Sequence, residues 1–141
     1  MNILVTGGLG TVGSGLIREL RARGHYVVSC DLFHQHDEIG FSLQPGAEEP
    51  FYARCDIGEF RQIERVFDRM GPFDCVYNCA AEFGRWNGED FYEILWRSNV
   101  IGLKNILRLQ ERLGFRLIHF SSSEVYGDWP DLMVETVTDE Y

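Results

Sequence analysis

The run Thr6-Gly7-Gly8-Leu9-Gly10-Thr11-Val12-Gly13 constrains this chain more than any other stretch. Before it stands Asn2 to Thr6 (NILVT), a short, mostly aliphatic run with the continuous apolar character of a strand buried on both faces. After it comes a segment of helical period, with Val12, Leu16 and Leu20 as the expected inward stripe and Gly24 as the stop. Gly8, Gly10 and Gly13 satisfy G-x-G-x-x-G, while Gly7, Gly10 and Gly13 satisfy the related T-G-x-x-G-x-x-G. Glycine is needed at such positions because the turn is tight, the backbone must approach a pyrophosphate, and the helix must pack near the strand. Phosphate oxygens then meet free N–H groups at a helix N-terminus, where the helix dipole favours negative charge. In this strand-turn-helix context a nucleotide or dinucleotide site is the expectation.

The remainder of the chain repeats the alternation of apolar run and helical segment that parallel β-α-β units produce. Strands are expected at Tyr26 to Cys30, Phe51 to Cys55, Phe73 to Cys79 and Phe115 to Phe120. Phe60, Ile63, Phe67 and Met70 form the inward stripe of a helix that stops at Gly71-Pro72, and a long amphipathic helix spans Phe91 to Leu113. Leu32 to Pro50 is polar and without period, a long connection. The expected class is therefore α/β, a doubly wound parallel sheet of Rossmann type. With 141 residues, 45% of them hydrophobic, the chain suffices for one cored domain.

A formal charge of -9 repels phosphate backbones and anionic headgroups, which argues against a nucleic-acid partner. No stretch has the length of apolar sequence a membrane span needs, and Met1 leads directly into a strand, so a cytoplasmic location is expected. Cys30, Cys55, Cys75 and Cys79 lie in apolar runs without C-x-x-C pairing and read as buried free thiols. His25, His34, His36 and Asp37 lack the scaffold that fixes zinc geometry, so no metal is assigned. No G-x-S-x-G elbow surrounds Ser122, which disfavours a serine nucleophile.

Asp31 ends the second strand about 20 residues beyond the loop, where a carboxylate accepts hydrogen bonds from an adenosine ribose. It would repel a 2′-phosphate, and Leu32 and Phe33 supply no compensating cation, so NAD is favoured over NADP. Asp56-Ile57 closes the third strand in the same way; Asp56 suits either an adenine amino group or the N-cap of the next helix.

At these residues the chain resembles the extended short-chain dehydrogenase/reductase superfamily, in its nucleotide-sugar epimerase, dehydratase and decarboxylase branch. The resemblance runs through the glycine loop, Asp31 and Asp56-Ile57. It continues in Asn78-Cys79-Ala80-Ala81, in the helix from Asn99 to Leu107, and in Ser121-Ser122-Ser123-Glu124-Val125-Tyr126-Gly127. It implies that Gly7, Gly10, Thr11, Val12, Gly13, Asp31, Leu32, Asp56, Ile57, Cys79, Ala80, Ala81 and Asn99 serve the cofactor, Asn99 by steadying the active-site backbone. Position 78 carries Asn where many members have His, and position 103 carries Leu where Thr is usual.

The reaction implied removes hydride from a sugar carbon onto NAD, giving a transient 4-keto nucleotide sugar. Ser122 aligns with the residue that hydrogen-bonds the reacting hydroxyl, and Ser123-Glu124 resembles the Ser-Glu pair of uronate decarboxylases. Glu82 is implied to bind substrate hydroxyls. Arg85, Trp86 and Asn87 follow on a loop suited to sugar stacking and anion binding, although Trp86 and Trp96 read first as core residues. The catalytic Tyr-x-x-x-Lys has no counterpart here, since Tyr141 comes too early and no Lys follows. That pair and the substrate domain are therefore expected beyond this stretch, which alone would be inactive. The competing reading is a non-catalytic dinucleotide sensor or scaffold. Ile94, Leu95, Ile101, Leu103, Leu107 and Leu109 spread over more than one face of the long helix, which, with the resemblance, implies a homodimer.

Overall fold

The computed structural model describes residues 1–34, 51–83 and 92–122. Strands β1 (Asn2–Thr6), β2 (Tyr26–Asp31), β3 (Tyr52–Arg54), β4 (Cys75–Asn78) and β5 (Arg116–His119) form one sheet in the order β3-β2-β1-β4-β5. Every pairing is parallel. The chain therefore starts at the centre, winds outward to β3, and crosses back to β4. That reversal beside β1 opens a crevice above the carboxyl ends of the strands, the place where doubly wound sheets hold ligands.

Helix α1 (Thr11–Ala22) covers one face, packing Ile17 and Leu20 on Ile3, Val5 and Val27. Helix α2 (Phe60–Met70) covers the other, packing Ile63, Val66 and Phe67 on Leu4, Val28 and Val76. Right-handed crossovers demand this, since the chain leaves β1 in one direction and β3 in the other. A long helix shares the α2 face and contributes Ile106 and Leu109. It consists of α3 (Tyr92–Leu95), a π-helical segment (Trp96–Gly102) and α4 (Leu103–Leu113), and it stops at Gly114 in the left-handed region. Each fully buried aliphatic side chain of the central strand contributes roughly 1.5–3 kcal/mol. Leu4→Ala would remove about 2–5 kcal/mol, because helices on both faces prevent collapse. Among the described residues no helix is long and apolar enough to cross a membrane.

Three expectations are corrected. Val12 does not join the inward stripe of α1; it is 54% exposed, and Gly13, Ser14, Ile17 and Leu20 face inward instead. The helix phase is set by Gly13, which is wedged against the Gly7 carbonyl. Strands β3, β4 and β5 are shorter than the apolar runs suggest: Phe73 and Phe115 lie outside strands, their rings packed 5.2 and 5.1 Å from Phe67. Trp96 is 46% exposed and sits against Tyr92 rather than in the core.

Candidate functional site

Gly7 turns the chain out of β1 with φ 68°, and a Cβ there would lie 2.7 Å from the Ala80 nitrogen. The loop thus rests directly on the backbone that leaves β4. A Cβ on Gly13 would sit 2.1 Å from the Gly7 oxygen, so α1 begins in contact with the turn that precedes it. Two bonds hold this arrangement: Gly8 N–H donates to Cys30 O and Gly10 N–H to Gly7 O, each at 3.1 Å. The first turn of a helix leaves N–H groups without intrahelical partners. In α1 the capping Gly10 has no side chain to satisfy them, and no acidic residue occupies the first turn. The positive end of the helix is therefore available to an anion.

A cleft of about 200 Å³ opens over the loop, lined by Gly7, Gly10, Asp31, Leu32, Asp56 and Ile57 and, across from them, by Cys79, Ala80 and Ala81. Asp31 is fixed at both carboxylate oxygens: Leu9 N–H donates to Oδ2 at 2.9 Å and Leu32 N–H to Oδ1 at 2.7 Å. Each oxygen keeps a second lone pair, so the group is pre-oriented and still accepts from a vicinal diol. Asp56 is not the N-cap of α2, a place that Glu59 occupies. Its Oδ1 accepts from Gly58 N–H at 2.8 Å, and its Oδ2 pairs at 2.9 Å with Arg97 of the π-helical segment. Burial raises the Cys79 thiol to about 11, and a hydrogen bond with Cys55, then burial, raises Cys30. These cysteines are protonated, apolar walls at neutral pH and not nucleophiles.

A second cleft, of about 610 Å³, adjoins the first through Ala80, Ala81 and Glu82 and reaches Asn99, His119 and Ser122. Asn99 grips the Glu82 backbone with both ends of its amide. Its Oδ1 accepts from Glu82 N–H at 2.8 Å and its Nδ2 donates to Glu82 O at 3.0 Å. Asn105, six residues on, donates to Ile57 O at 2.8 Å from a buried position. The long helix approaches Ile57 closely, since a Cβ on Gly102 would fall 2.5 Å from Ile57 Cδ1.

The fold thus brings together the glycine loop, both strand-end carboxylates and the Cys79-Ala80-Ala81 segment, which are far apart in the chain. Thr11 and Val12 stand exposed beside the first cleft rather than in its lining, and Asn99 belongs to the second cleft. Cys30, Phe33, Cys55 and Ser98 also line the first cleft without having been singled out as site residues; the first three lie at the ends of β2 and β3, which was the available signal, whereas Ser98 comes from the π-helical segment. Ser122 lines the second cleft, whereas Ser123, Glu124, Arg85, Trp86, Asn87, His36, Asp37 and Tyr141 lie outside the described residues.

Fold and site together define a dinucleotide-binding domain of the doubly wound class. The family model described as NAD dependent epimerase/dehydratase family matches residues 3–141. A dTDP-glucose 4,6-dehydratase of Neisseria gonorrhoeae is 32% identical over 96% of this chain and 43% of its own length. The UDP-glucuronic acid decarboxylase 1 of Danio rerio is 32% identical over 89% of this chain and 28% of its own. Among solved structures, a UDP-glucose-4-epimerase of Stenotrophomonas maltophila with bound NAD and formylated UDP-arabinopyranose superposes with a TM-score of 0.77 at 27% identity. It covers 96% of this chain and 41% of that one. The chain belongs to the NAD dependent epimerase/dehydratase family, whose cofactor is NAD. It spans less than half the length of these relatives.

Proposed function

We propose that the full-length protein converts a nucleotide sugar through a transient 4-keto intermediate, with residues 1–141 forming the NAD-binding part of a larger Rossmann domain. The observation that carries this reading is the first cleft, where a glycine cradle, a bare helix N-terminus and the doubly anchored Asp31 come together. The fit to a dinucleotide is chemical: a turn whose backbone packing leaves no room for a Cβ at Gly7 or Gly13 leads into the uncapped N–H groups of α1, which suit a diphosphate, and the carboxylate suits a ribose diol. In this reading Gly7, Gly10, Thr11, Val12 and Gly13 hold the diphosphate, Asp31 and Leu32 the ribose, and Asp56 and Ile57 the adenine side. Cys79, Ala80 and Ala81 floor the reactive end, which Asn99 holds in place through Glu82.

Bound NAD supplies a hydride acceptor that later returns the hydride. Ser122 donates a hydrogen bond to the sugar oxygen as it becomes a ketone, lowering the cost of charge there. Glu82 accepts from sugar hydroxyls. The similarity to UDP-glucuronic acid decarboxylase 1 supports, at the finer level, a decarboxylase role for Ser123 and Glu124. The exposed apolar side chains of Tyr92, Ile94, Trp96, Val100 and Leu107 support a homodimer formed through the long helix.

The test is to titrate the full-length protein with NAD by calorimetry and then incubate it separately with dTDP-glucose, UDP-glucuronate and UDP-glucose, reading products by mass spectrometry. Loss of carbon dioxide identifies decarboxylation, loss of water dehydration, and unchanged mass with altered retention epimerisation. NAD binding with none of these conversions would replace the enzyme reading by the sensor one.

A further inference from the structure

We infer that His119 positions the substrate in the second cleft, as a hydrogen-bond donor whose direction is set by a chain of bonds beginning at Thr6. This rests on the nucleotide-sugar reading above. Thr6, Asn78 and His119 are register partners, Thr6 opposite Asn78 and Asn78 opposite His119, so they form one cross-strand row at the carboxyl ends of β1, β4 and β5. Thr6 and Asn78 are buried, whereas His119 is exposed to the cleft it lines with Glu82 and Ser122.

The polarity of the row follows from its distances. Thr6 Oγ1 accepts from Ala80 N–H at 3.3 Å, leaving its own proton to give. The 2.6 Å separation from Asn78 Oδ1 suits an O–H···O bond and is shorter than N–H···O bonds ordinarily are. The amide oxygen of Asn78 therefore faces Thr6, and its Nδ2 faces His119 Nδ1 at 3.1 Å. An amide NH₂ only donates, so Nδ1 must accept and the ring carries its proton on Nε2. That N–H is the polar edge left for the cleft.

The pairing is chemically useful because the neighbouring Glu82 carboxylate accepts, while His119 donates. A polyhydroxylated ligand meets one fixed donor and one acceptor in the same wall, and an oxygen without a proton, such as a ring or keto oxygen, is addressed by His119. Neither residue needs to move a proton for this. His119 is thus a positioning residue, and the side-chain amide of its cross-strand neighbour Asn78 fixes which nitrogen it presents.

Two measurements on the full-length protein decide the matter. Long-range nitrogen-proton NMR on histidine-labelled protein should show, for the ring signals that vanish in His119→Phe, an unprotonated Nδ1 and a protonated Nε2. Asn78→Asp should reverse the two, since a carboxylate accepts from Nδ1–H. A wild-type Nδ1–H form overturns the inference. In calorimetry of the NAD-loaded protein with whichever of dTDP-glucose, UDP-glucuronate or UDP-glucose binds, His119→Phe should weaken the sugar roughly tenfold, the loss of one hydrogen bond. His119→Gln, which can present an amide N–H in place of Nε2–H, should restore most of it, and NAD affinity should be unchanged in both variants. Wild-type sugar affinity in His119→Phe overturns the inference and leaves the functional reading standing. A wild-type protein that binds NAD and none of the three sugars removes that reading, and this inference falls with it.

Discussion

The cleft over the glycine loop is made of backbone, whereas the cleft beside β5 is made of side chains. In the first, a turn and a helix start admit no Cβ at Gly7 or Gly13, and the Asp31 carboxylate is held by two main-chain N–H groups. In the second, Glu82, Asn99 and the His119–Ser122 stretch come from three segments, and their placement depends on amide-to-backbone and cross-strand bonds. A backbone site tolerates no change of shape but many changes of surrounding sequence. A side-chain site can be retuned one residue at a time, which is the division of labour expected when one cofactor serves several chemistries.

Gly13→Ala should produce the largest effect. The added methyl would overlap the Gly7 oxygen, so α1 must back away; NAD should bind roughly a hundredfold more weakly, with stability down by about 1–3 kcal/mol. Calorimetry and thermal melts read both, and a variant that binds NAD normally would break the claim that shape alone defines this cleft. Asp31→Ala should come next, weakening NAD by roughly ten- to a hundredfold through loss of charge-assisted hydrogen bonds. Asn99→Leu should reduce turnover roughly tenfold while weakening NAD less than either change above, because the Glu82 backbone loses both bonds that fix it. Equal losses in both clefts would dissolve the distinction between them.

The smallest effect concerns pH. The folded Cys79 thiol keeps its proton up to about 11, while an unfolded thiol releases it nearer its ordinary value of 9.0. The folded state therefore binds more protons between these values, and stability should fall as pH rises through that window. Denaturant midpoints across that range should decline less in Cys79→Ala than in the parent, and equal declines would remove burial of this thiol as the cause.

The difference between the clefts also explains what could be read from the chain. The glycine loop, Asp31, the α2 stripe at Ile63 and Phe67, and the order of strands and helices depend on local spacing, and all appear as expected. Val12 misled because an apolar residue in the first helical turn has the right spacing, yet the contact of Gly13 with Gly7 sets the phase. Phe73 and Phe115 lengthened the expected strands because aromatic residues extend an apolar run whether they lie in the ladder or close over Phe67 beyond it. The row from Thr6 through Asn78 to His119 spans three strands separated by long stretches of chain. Its members gain meaning only once register is known.

The long helix touches both clefts at fixed points: Arg97 on Asp56, Asn99 on Glu82, Asn105 on Ile57. It therefore behaves as a caliper with one jaw on Asp56 and Ile57 and the other on Glu82, and the angular spacing of its residues sets their alignment. Inserting one residue between Asn99 and Asn105 would rotate and slide one jaw off its mark while leaving every individual side chain in the sequence.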